Sequence, residues 1–70
     1  MQNQQSQISA KELMYLEDIM DMEAQEVQKL KKAAQTATDP EAQSLLNSIA
    51  QLHQGHFQTL SNYLSQQAGR

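Results

Sequence analysis

Three residues able to bind a metal or exchange a proton, Glu23, His53 and His56, occupy positions that the surrounding helical repeats otherwise give to apolar side chains. Histidines three apart lie on one helical face, and a carboxylate from a facing helix can supply a third donor to the same ion. An imidazole-rich set of this kind suits zinc, nickel, copper or iron better than magnesium or calcium. Zinc or iron is the metal to expect, with Glu26, one turn beyond Glu23, as an extra donor. The same residues can equally form a hydrogen-bonded Glu–His layer that fixes helix register with no cofactor at all. A three-residue spacing is a weak metal signal, so the cofactor-free layer is the first expectation and the metal site the alternative. A small rotation of the second helix would leave His56 at the rim. No residue stands out as catalytic.

The first of the two helices begins at Ser9. Ser9 and Glu12 have the spacing of a capping box, and Ile8 with Leu13 that of a hydrophobic staple. From there the apolar positions follow a 3-4 repeat through Leu13, Leu16, Met20, Val27, Leu30, Ala34 and Ala37, broken only at Glu23. Acidic residues crowd the first half and Lys29, Lys31 and Lys32 the second, a distribution that complements the helix dipole. The spacing predicts one helix over about residues 10–36.

The break falls at Thr38-Asp39-Pro40-Glu41. Proline disfavours helical geometry in the residue before it and suits the first turn of a new helix. Thr38 with Glu41 could form a second capping box, or Asp39 could be the cap with Pro40 at the first helical position. The second helix, over about 40–65, repeats the pattern with Ala42, Leu46, Ile49, His53, His56, Leu60 and Tyr63. Ala50, Phe57 and Leu64 widen its stripe on one side, Leu45 and Leu52 on the other. A connection this short makes the helices antiparallel neighbours, with Glu23 facing His53. Residues 1–8 read as a disordered Gln-rich tail and 66–70 as a frayed C-terminus, leaving 9–65 as the helical hairpin.

Seventy residues bury little apolar surface, and the chain has no cysteine to staple it. The apolar stripe of the second helix is wider than one helix contact uses. The economical partner is a second copy, closing a homodimeric four-helix bundle that gathers both sets of Glu23, His53 and His56 toward its middle. A helical adaptor for a different protein is the other binding-module reading. The net charge of −3, with Arg70 the lone arginine, leaves no basic surface for nucleic acid. No stretch approaches the ~20 apolar residues of a membrane span, and the N-terminus lacks the basic and apolar regions of a signal peptide. A cytoplasmic protein is expected.

The secondary candidates read as scaffold. Met20 is core filler, with Met14 and Met22 on its flanks. Tyr63 fits the stripe near its far end, and Tyr15 lies half-exposed beside it. Gly55, between the histidines, suggests a close helix contact or a local bulge.

Three segments, Lys11-Glu12-Leu13-Met14-Tyr15-Leu16-Glu17-Asp18, the hinge Asp39-Pro40-Glu41, and Leu52-His53-Gln54-Gly55-His56-Phe57 with Leu60, Tyr63 and Leu64, resemble the short spore-coat proteins of the coat F type. The resemblance covers about residues 8–65. It implies a ferritin-like antiparallel bundle, a structural role in or near the spore coat, and other coat proteins as partners. Ferritin-like metal enzymes set a Glu on one helix against Glu-x-x-His on the next. By that resemblance Glu23 matches the first Glu and His56 the His, while His53 stands where the second Glu would be. Lacking that bridging carboxylate, the site is expected to hold a single metal or none, and the protein to be a non-catalytic assembly component.

Overall fold

The computed structural model describes residues 8–68; the tail expected over residues 1–8, apart from Ile8, and the last two residues lie outside them. Two helices, α1 (Ala10–Thr36) and α2 (Pro40–Ala68), run antiparallel as a helical hairpin, with no strand among the described residues. Ser9 starts α1 as a complete capping box. Its hydroxyl accepts from the Glu12 N–H at 3.0 Å, and the Glu12 carboxylate accepts from the Ser9 N–H at 3.0 Å. Two of the orphan donors of the first turn are thereby satisfied.

Between the helices the chain turns without any left-handed residue. Ala37 leaves α1 in an extended conformation, with φ −68° and ψ 138°. The choice of cap for α2 is settled in favour of Asp39: its carboxylate accepts from the Ala42 N–H at 2.8 Å, and its carbonyl accepts from the Gln43 N–H at 2.9 Å. Pro40 therefore takes the first helical position, where its missing N–H leaves nothing unpaired. The Gln43 amide closes the turn by donating to the Ala37 carbonyl at 2.6 Å.

Some boundaries differ from expectation. The second helix continues through Gln66 and Gln67 to Ala68 rather than ending at residue 65. No proline interrupts it, and Gln67 still lies half-buried against the hairpin. The last turn of α1 holds no basic residue, so Lys29, Lys31 and Lys32 lie short of the turn where the dipole is felt. Gly55 marks no bulge and no close contact. It lies in regular helix with open space where a Cβ would be.

The seam between the helices is narrow. Only Val27, Ala34 and Ala50 are buried among the described residues, and no large side chain is fully enclosed. Leu13 and Tyr63, at the open end of the hairpin, remain 36% exposed. Two helices alone offer one line of contact and no second layer.

Two substitutions test this local chemistry by urea denaturation. Asp39→Ala removes the cap of α2 and lowers stability by roughly 0.5–2 kcal/mol, whereas Thr38→Ala leaves it nearly unchanged. Equal effects of the two would contradict the assigned cap. Gly55→Ala, filling empty space in a helix interior, raises stability by up to ~1 kcal/mol; a loss instead would mean that something packs against that position.

Candidate metal centre

Mid-length on both helices lies the polar layer. Glu23 is the central residue of α1, and His53 and His56 flank the centre of α2. The antiparallel pairing brings them together: His53 Nδ1 hydrogen-bonds Glu23 Oε1, and His56 Nδ1 hydrogen-bonds Glu23 Oε2 at 3.2 Å. Each oxygen of one carboxylate thus takes its own imidazole. An ionised carboxylate only accepts, so both rings carry a proton on Nδ1 in this arrangement. The two rings meet edge to face, with centroids 5.6 Å apart and planes at 84°.

Exposure grows outward from the seam. The side chain of Glu23 is 16% exposed, that of His53 29% and that of His56 50%. Helical geometry explains the order, since three residues carry His56 about 60° around α2 from His53 and off the seam. The hydrogen bond from His53 is the largest influence on the Glu23 carboxyl, and it lowers the pKa below the ordinary 4.5. Partial withdrawal from water opposes that shift, while the charges of His53 and then His56, and the His56 hydrogen bond, reinforce it.

One donor atom from each of Glu23, His53 and His56 lies within 4.8 Å of the other two. A tetrahedral ion holding nitrogen and oxygen at about 2.0–2.2 Å sets neighbouring donors roughly 3.3–3.6 Å apart. The 3.2 Å between His56 Nδ1 and Glu23 Oε2 is already close to that edge. The donor set therefore suits a single borderline ion as well as it suits a hydrogen-bonded layer. Glu26 stays outside the triad. It lines the recess beside the site with Ile19 and Met22, one turn too far round α1 to join the other three. Ile19 and Met22 were not singled out as site neighbours by their residue types. Their spacing with Glu26 on one flank of α1 was the available signal.

No helix among the described residues is long and apolar enough to cross a membrane. No protein family, characterised protein or solved structure matches the chain.

The depressed Glu23 pKa gives the layer a pH signature. A carboxyl whose folded value lies below its unfolded value contributes fully above the unfolded pKa, and that contribution is lost as pH falls through the folded one. The metal-free protein, kept in chelator, should lose stability as pH falls below the ordinary 4.5 and through the lowered Glu23 value, and Glu23→Gln should flatten that loss. Urea midpoints with the same pH slope in both proteins would show that Glu23 is not the responsible group.

Proposed function

We propose that this chain is a non-catalytic structural component that self-associates face to face into a four-helix bundle. The observation that carries the reading is an apolar surface concentrated on one side, which holds six of the eight exposed large apolar side chains among the described residues. Projected at about 100° per residue, Tyr15, Ile19 and Met22 fall on one flank of α1, and Leu45, Leu52 and Tyr63 on one flank of α2. Because the helices are antiparallel, the two flanks look the same way. These six side chains are between 36% and 62% exposed. The recess on the opposite side is more polar, with Gln28, Lys31, Lys32, Gln35 and Gln54 beside Ala24, Val27 and Phe57.

Contiguous apolar surface of this kind marks an interaction site. A face roughly 40 Å long and ~20 Å wide has a footprint on the order of 800 Å², about what each partner contributes to a standard specific interface. A second copy supplies an identical apolar face, and twofold pairing closes the surface without leaving a further one open. Glu26, the charged residue beside the site on this face, and the net charge of −3 disfavour an anionic lipid surface as the alternative cover. The segments resembling coat F proteins support the spore coat as the setting. Assembly with other coat proteins would then follow.

Light scattering and sedimentation on the full chain test the association. The expected mass is that of two chains at micromolar concentration, and Leu52→Glu, which places a charge on a side chain already 58% exposed in the single hairpin, should return it to one chain with helicity retained. A wild-type mass of one chain across that concentration range would refute self-association.

A further inference from the structure

The polar triad and the apolar face are usually separate features of a bundle, one in the seam and one at an interface. Here they meet. Glu23 lies in the seam, but His56 is half-exposed and falls on the α2 flank that carries Leu45, Leu52 and Tyr63. On the α1 side, Ile19 and Met22 line the same recess as Glu23 and His53. An ion held by the triad would therefore have three donors from one hairpin and an open coordination position on the outward apolar face.

Position along the rod adds a second constraint. Glu23 is the middle residue of α1, and Gln54, between the histidines, is the middle of α2. Two hairpins that overlap over their full length can be related by a twofold axis along the helices or by one perpendicular to them. In either case their midpoints coincide. The triads of the two copies thus come level whichever orientation the bundle adopts, which would not hold for a site near one end.

We infer that Glu23, His53 and His56 bind a divalent transition ion, with zinc the probe of choice, at a position left open toward the second copy, so that metal binding tightens self-association. The inference rests on the face-to-face reading above. Its chemistry is that of the donors: each ring must offer the ion an unprotonated Nδ1, so the proton now directed at the carboxylate leaves that nitrogen and, by exchange with solvent, the neutral ring carries its proton on Nε2 instead. Because the ion would bind the paired form better than the single hairpin, thermodynamic linkage requires that it also favour pairing.

The test uses the untagged full chain, stripped with chelator and dialysed against zinc, with magnesium as the unreactive control. Metal content per chain and the dimer dissociation constant are measured on the same samples. One zinc per chain or one per pair is expected, with a dimer dissociation constant at least about tenfold larger in zinc-free buffer, a factor typical of coupled sites. His56→Ala should weaken zinc binding by more than the roughly 10–100-fold that loss of an outer-shell partner costs. His56 is half-exposed, so this variant should keep its helical spectrum, and Leu52→Glu provides a hairpin whose triad is intact but whose face is spoiled. Substoichiometric zinc, or unchanged binding by His56→Ala, overturns the site while leaving a zinc-independent dimer standing. Stoichiometric zinc with an unchanged dimer constant overturns the coupling. A chain that stays monomeric with and without zinc overturns both the coupling and the assembly reading.

Discussion

The hairpin depends on one carboxylate held by two imidazoles from the opposite helix. Apolar seams with a 3-4 repeat tolerate sliding, because a slip of one turn, about 5.4 Å, exchanges one apolar neighbour for another. Glu23 removes that tolerance. Slipped one turn toward the start of α2, it would face Ile49 and Ala50 and lose both hydrogen bonds while remaining largely withdrawn from water. A half-buried acceptor left without donors costs more than a poorly chosen apolar contact. The layer therefore specifies register even where the packing of Val27, Ala34 and Ala50 would not.

Register and connection reinforce each other. Asp39 and Pro40 start α2 within four residues of the end of α1, so the helices have no slack in which to slide. The Gln43 amide on the Ala37 carbonyl ties the turn further. At the open end no such restraint exists, and Leu13 and Tyr63, at the end of the central 3-4 repeat, are left exposed. The hairpin is thus defined from its turn and its middle, and both defining features use polar atoms rather than bulk.

Much of this was legible in the residues. The Ser9–Glu12 box, the hinge and the 3-4 repeat each rest on local geometry that a sequence encodes directly, and the facing of Glu23 and His53 follows from the short connection. Other features depend on competition that spacing does not resolve. Thr38 and Asp39 are both competent caps, and the fold chose the one adjacent to Pro40. Glu26 shares a turn with Glu23 yet misses the triad, because rotation about the helix separates them by about 60°. Gly55 suggested a close contact, but its neighbours show open space. The helix end near Gln67 depended on side-chain burial, which periodicity does not report.

A structural layer and a metal site are commonly set against each other, but for this donor set one arrangement could serve as either. The hydrogen bonds that fix the register also orient both Nδ1 atoms toward the carboxylate, and this is the pre-organisation an ion needs. A divalent ion would shorten no distance drastically, since one donor atom from each residue already lies within 4.8 Å of the other two. A second carboxylate in place of His53 would have favoured two bridged ions, whereas one carboxylate with two imidazoles matches the needs of a single ion. Histidine at that position therefore suits both: it donates to Glu23 in the hydrogen-bonded layer, and it would be a neutral ligand to an ion.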